Sequence, residues 1–181
     1  GLRVSVFGAM GVVGFASAVI AAMSGAKVRI VAHDAIGPLM ASAAFAKDRF
    51  DVMLEPVAGQ TEALKARILD VSDVVLSAGP AGVSILPRRL IARAPGVLVA
   101  ADVNAVAPYG IEGMDLFMDG APLPGCSTLG IGALAIGDVK YRTQAELFRR
   151  MLAASQPLAL DFRDAFVLAR EIVSPVRRRP A

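Results

Sequence analysis

The chain has 181 residues, 55% of them hydrophobic and 19% charged, with a formal net charge of +3. That is ample apolar material for a packed core and excludes an intrinsically disordered chain. No apolar stretch is long enough to span a bilayer, the first residues lack the pattern of a secretory signal, and neither a membrane nor nucleic acid is an expected partner. Cys126 is the single cysteine, so no internal disulfide can form, which fits a reducing, cytoplasmic setting. The charge excess resides in Arg177, Arg178 and Arg179, read as a solvated end.

The first predicted strand runs from Leu2 to Phe7, and a helix follows from Val12 to Ser24 with Gly25 closing it. A second strand is expected over Lys27–Ala32 and a second helix over Pro38–Lys47. Asp51–Val57 reads as a weaker strand limited by Pro56, and Thr61–Leu69 as a helix capped near Gln60 or Thr61. Val74, Val75 and Leu76 run apolar without alternation, marking Asp73–Ser77 as a buried strand. Val83–Arg93 is helical in composition, with Pro87 kinking or dividing it. Gly96–Ala101 is another buried strand. This βαβαβαβαβ order predicts a Rossmann-like, doubly wound parallel sheet in a three-layer α/β/α arrangement, one domain over residues 1–181. From Val106 to Gly132 the chain is rich in glycine and proline and reads as loop, with one short strand at Leu116-Phe117-Met118. Two helices end the pattern. Tyr141, Ala145, Phe148 and Leu152 share one face of the first; Phe162, Phe166, Ala169 and Val173 share one face of the second; both faces are expected to cover the sheet.

Within "FGAMGVVG" the first strand feeds the first helix through Gly8, Ala9, Met10, Gly11, Val12, Val13 and Gly14. Free amides at a helix N-terminus, together with the helix dipole, favour a phosphate. Gly8 allows the tight turn, Gly11 the approach of a diphosphate, and Gly14 close packing of helix on strand. The spacing is GxxGxxG rather than GxGxxG, and a ligand-free glycine turn is the alternative. Asp34 lies 34 − 14 = 20 residues after the last glycine, at the end of the second strand, where a carboxylate accepts hydrogen bonds from the adenosine ribose. His33-Asp34 therefore favours NAD over NADP; the alternative role of Asp34 is a helix cap. The loop Ser77, Ala78, Gly79 and Pro80 after the fourth strand offers small residues where ligands of open α/β sheets bind. One histidine and one cysteine supply no metal ligand set.

The run "ADVNAVAPYGIEGMD" (101–115), then "TLGIGALAIGDVKYRTQAELF" (128–148), with "SAGPAG" (77–82) and "DFRDAFVLAR" (161–170) in order, resembles the methylene-tetrahydromethanopterin dehydrogenases of one-carbon metabolism. The resemblance covers nearly the whole chain. It implies hydride transfer from the methylene carbon of a reduced pterin, the small-molecule substrate, to NAD or NADP. It also implies a smaller domain before the dinucleotide domain, with the pterin in the cleft between. This sequence begins at the first strand with Gly1, so that preceding domain is expected to be missing or unrepresented, and the apolar excess fits burial against it or against a second subunit in a homo-oligomer. NADP-using relatives carry an Arg near the end of the second strand, where this chain has His33-Asp34.

Hydride removal needs no strong base, so the lack of a His/Asp constellation is no objection. It needs two carbons held close and aligned in a dry site. Gly130, Ile131 and Gly132 are the candidate nicotinamide floor, with a tight turn before the last helices as the alternative role of the two glycines. Asp102 and Asn104 are the candidate catalytic residues, orienting the carboxamide or pterin or stabilising the developing cation; turn capping is their alternative role. Adjacent Lys140 and Tyr141 point different ways on a helix and read as a surface charge and a core aromatic. Two other function classes stay open: a dehydrogenase of a methylene-folate or small carbonyl substrate, and a non-enzymatic NAD-binding module.

Overall fold

The computed structural model describes residues 1–174; the arginine run at 177–179 lies outside the described residues. The chain divides into two compact units, Gly1–Ala135 and Ile136–Ala181. In the first unit seven strands form one sheet: β1 (Arg3–Phe7), β2 (Lys27–Ala32), β3 (Leu54–Ala58), β4 (Val74–Ser77), β5 (Val99–Asp102), β6 (Asp119–Pro122) and β7 (Leu129–Ile131). Their order is β3-β2-β1-β4-β5-β7-β6. All neighbours are parallel except β6 and β7 at one edge. The chain winds outward from β1 to β3, returns to β4 beside β1, and continues the other way. Right-handed crossovers in opposite directions place α1 (Val12–Met23) and α2 (Gly37–Phe50) on one face, α3 (Glu62–Asp70) and α4 (Arg88–Ala92) on the other. The predicted doubly wound, three-layer fold is what forms.

The central strands are buried on both faces, as their unbroken apolar runs require. Phe7, Val31, Val75 and Ala100 face Ile68, Leu69, Leu90 and Ile91 from α3 and α4 in one core cluster. Truncating one of the Phe, Leu or Ile side chains to alanine costs about 2–5 kcal/mol. On the α1–α2 side, Phe15, Phe45 and Phe50 pack ring to ring. At the amino ends of the strands, β1 is tied to the residue before β4. Arg3 Nη2 meets Asp73 Oδ1 at 2.5 Å and the Arg3 backbone N–H donates to Asp73 Oδ2 at 2.7 Å. These bonds from Arg3 pull the Asp73 carboxyl down to about 2. The opening that matters is at the other end.

Several predicted elements differ from the structure, each for a local reason. Pro56 is tolerated because β3 is an edge strand. Helix α2 runs on to Phe50 and ends where Asp51 turns left-handed (φ 53). Pro87 does not kink a helix over 83–93; it stands at the N-cap of a five-residue helix, and Ile85 and Leu86 instead donate backbone N–H bonds to Gly110 O. Leu116–Met118 is a turn rather than a strand, and strand pairing begins at Asp119, so the loop-rich segment holds a hairpin, β6–β7, that its glycines and prolines disguised.

The second unit carries most of α5 (Ala133–Ala153) and all of α6 (Phe162–Val173). Asp161 and Asp164 form a reciprocal capping box at the start of α6. The expected buried face of α5 is not buried: Tyr141 is 74% and Leu152 88% exposed, and Phe148 is exposed too. Tyr141 is therefore no core aromatic. Leu168 is the buried side chain of α6, on a different face from Val173 of the expected stripe, which is exposed. Periodicity finds a helix face; it does not say what covers it.

Candidate functional site

Strand β1 ends at Phe7, and Gly8 turns the chain with φ +83, a conformation glycine adopts without strain. A side chain there would also strike the backbone of Ala78 and Gly79, which lie alongside after β4. Gly11 N–H closes the turn on Gly8 O at 3.1 Å, and Phe15 N–H makes the first helical bond to Gly11 O at 2.9 Å. No side chain caps α1, and no carboxylate stands in its first turn. Gly14 is buried, and a Cβ on it would run into Gly8 and Ala9 of the preceding turn. Gly11 is different: a Cβ there would meet only Gly8 O, at 3.5 Å, an ordinary contact. The protein's own packing demands Gly8 and Gly14 but leaves open space at Gly11.

Gly11 also lines a cavity of about 710 Å³ at the carboxyl ends of β1, β2 and β4. Gly8 to Gly11 form one wall, His33 and Asp34 the end of β2, and Ala78, Gly79 and Pro80 the segment after β4. The lining is mostly apolar, as ligand pockets are. His33 and Asp34 are exposed, and Gln60 at the start of α3 donates from its side chain to Asp34 O. The bond takes the backbone oxygen, so the Asp34 carboxylate caps no helix through it.

Other expected residues are elsewhere. Val12 and Val13 are exposed on the first turn of α1. Ser77 is buried, its hydroxyl without a hydrogen-bond partner and packed against Gly110. Asp102, buried at the end of β5, accepts from Asn104 N–H at 3.0 Å and Ile111 N–H at 2.8 Å. Asn104 accepts from Val106 N–H at 2.9 Å and donates to Pro108 O at 3.2 Å. Both side chains hold the 103–111 loop, the Asx turn-capping role weighed above. Gly130, Ile131 and Gly132 do not line the cavity. Met118 and Met114 fill the space beside Gly130, and the Asp115 and Leu116 carbonyls that beside Gly132.

Sequence reasoning missed Val31, Leu39, Val83, Ile85 and Lys65, which also line the cavity. The apolar ones carry no signal apart from their strand or helix pattern. Lys65 lies on a short amphipathic helix whose pattern does not mark it; its Nζ donates to Ile85 O at 2.7 Å, and burial lowers its pKa. Among the described residues no group of three or more His, Cys, Asp or Glu stands close enough to hold a metal ion, and no helix is long and apolar enough to cross a membrane.

The fold and this turn define a Rossmann-type, doubly wound architecture. The chain is similar to a transhydrogenase from Sinorhizobium meliloti (TM-score 0.63, 19% identity, 94% of this chain and 46% of that one). It is also similar to shikimate 5-dehydrogenase from Listeria monocytogenes, solved with shikimate and NAD (TM-score 0.50, 13% identity, 76% and 47%). At these identities the likeness shows the fold alone. No protein-family model matches the chain. Among curated proteins, the NAD(P)-dependent methylenetetrahydromethanopterin dehydrogenase of Methylorubrum extorquens is 50% identical over 173 residues, 95% of this chain and 58% of that protein. The bifunctional protein MdtA of the same organism is 27% identical over 124 residues, 68% of this chain and 42% of that protein. The family resemblance read from the sequence is borne out: the chain is a relative of this dehydrogenase along nearly its whole length. It spans between two fifths and three fifths of the curated relatives it matches.

Proposed function

We propose that the chain binds a nicotinamide dinucleotide in the cavity between Gly8–Gly11, Asp34 and Ala78–Pro80, and serves an NAD(P)-dependent methylene-tetrahydromethanopterin dehydrogenase of the cytoplasm. The observation that carries the cofactor reading is the contrast among the three glycines: Gly11 alone lacks a packing reason and opens on the cavity. A cradle that a Cβ would fill is the shape a diphosphate needs against helix amides. The substrate class comes from the relative's name and the 50% identity to it.

In this reading the first turn of α1 holds the diphosphate through backbone N–H groups. Asp34 accepts the adenosine ribose hydroxyls and makes NAD the preferred form, because its carboxylate repels a 2′-phosphate. Ala78, Gly79 and Pro80 leave room for the cofactor to cross the sheet. The nicotinamide accepts the hydride when bound. Asp102 and Asn104 contribute by fixing the loop after β5 rather than by touching the reacting atoms. The remaining requirements are alignment and exclusion of water, which small apolar residues supply.

Two measurements test this. Calorimetry with NAD and NADP should register binding of both, NAD more tightly. Methylene-tetrahydromethanopterin should then raise the reduced-nicotinamide absorbance, and methylene-tetrahydrofolate should be the poorer substrate. Cofactor binding with no turnover of either carrier, even with a pterin-facing domain supplied, would turn the assignment toward a nucleotide-binding module.

A further inference from the structure

The cavity contains one cation that the glycine turn does not use. Lys65 is the one Lys or Arg among the described residues that line it. It stands in the first turn of α3, its backbone N–H bonded to Thr61 O at 3.0 Å. Its side chain crosses to the Val83–Ile85 wall and donates to Ile85 O at 2.7 Å. An ammonium has three donors, and this carbonyl takes one. Among the described residues no carboxylate touches it: Glu62, one turn before, is ion-paired with Arg89 and acts on Lys65 only through space. Burying an ammonium with no carboxylate in contact is costly, and here burial lowers its pKa by more than the nearby Glu62 charge raises it. An anionic ligand would remove that cost.

The position selects the anion. Gln60 ties the start of α3 to Asp34 O, the corner where the adenosine ribose is assigned. Thr61 caps the helix by accepting from Leu64 N–H at 3.2 Å, which fixes the turn carrying Lys65 beside that corner. The diphosphate belongs to the glycine turn on β1. On the ribose side of the cavity, the further anion a nicotinamide dinucleotide can carry is the 2′-phosphate of NADP. We propose that Lys65 is a specificity-determining residue that exchanges its bond to Ile85 O for the 2′-phosphate of NADP, offsetting the repulsion from Asp34 and letting one cavity accept both cofactors.

This rests on the dinucleotide reading, and the test separates the two. Calorimetry on the full chain compares NAD and NADP binding in the wild type, Lys65→Met, Lys65→Gln and Lys65→Arg. Loss of the ammonium should weaken NADP about tenfold or more and leave NAD within about twofold. Lys65→Gln retains a donor for Ile85 O without the charge, so it keeps the strut if Lys65→Met unfolds. Lys65→Arg should restore most of the NADP affinity. Equal losses for NAD and NADP would make Lys65 a strut between α3 and the Ile85 segment and overturn the proposal, as would unchanged affinity for both. Wild type that binds neither cofactor would instead sink the cofactor reading beneath it.

Discussion

The two glycine-rich segments at 8–14 and 130–132 both read as cofactor-binding in the sequence and differ in what fills the space beside them. At Gly132 the neighbours are the Asp115 and Leu116 carbonyls, and at Gly130 the sulfurs of Met118 and Met114. There the chain packs against itself, folding the loop before β6 onto β7. In the first turn Gly8 and Gly14 are likewise accounted for, by Ala78 and Gly79 and by the turn itself. Gly11 has only Gly8 O nearby, at 3.5 Å, and faces the cavity. A glycine therefore reports a close approach without naming the approaching group. Only the inventory of neighbours separates a ligand's place from the chain's own.

The sharpest way to break this contrast is to put the same side chain at each position. Gly14→Val and Gly132→Val both drive a branched side chain into fixed backbone. Each should lower stability by more than about 4 kcal/mol, read as a collapse of the urea midpoint. Gly11→Val adds the same atoms in an extended N-cap conformation (φ -79, ψ 157) that valine tolerates. It should change stability by less than about 1 kcal/mol. Dinucleotide affinity should nonetheless fall about 100-fold or more, measured by calorimetry. If Gly11→Val unfolds like the other two, the open space is not a binding place. If it folds and binds normally, the phosphate belongs elsewhere.

The same contrast shows what a sequence exposes. The first five strands and helices α1 to α3 were legible because apolar runs and amphipathic helices carry their own period. Gly8, Gly11, Asp34 and Gly79 were legible because the turn chemistry is local. The wall at Val83–Ile85 was hidden: composition extends a helix across Pro87, whereas Ile85 and Leu86 bond to Gly110, far along the chain. The hairpin β6–β7 was hidden because Asp119–Pro122 lacks β-branched residues and is exposed throughout. The α5 face failed in the opposite way. Its period is real, but Tyr141 and Leu152 remain exposed, since periodicity fixes the side of a helix and not its neighbour.

Smaller effects distinguish the two carboxylates at strand ends. Asp102→Asn leaves one acceptor oxygen where two backbone N–H groups, of Asn104 and Ile111, need partners. It should cost about 1–3 kcal/mol of stability and lower turnover only in proportion to the folded fraction. A loss of turnover with stability intact would move Asp102 into direct contact with the reacting groups. Asp34→Arg should leave stability unchanged, because its carboxylate is exposed and the bond from Gln60 is to backbone. The NAD-to-NADP affinity ratio should move toward NADP by about tenfold or more. An unchanged ratio would separate Asp34 from the ribose.

Gly130→Ala is the mildest probe and the finest test of the contrast. The added methyl would press on the Met118 side chain and approach the Met114 sulfur at 3.0 Å. Thioethers on three rotatable bonds yield where backbone cannot, so the cost should be about 1 kcal/mol, far below that of Gly132→Val. Because Gly130 lies on β7, beyond β5 from the cavity walls, NAD affinity should be unchanged. Calorimetry beside urea denaturation separates the two effects. A fall in affinity without loss of stability would mean that the cofactor reaches β7 after all, making Gly130 part of its floor and joining the two segments in one site.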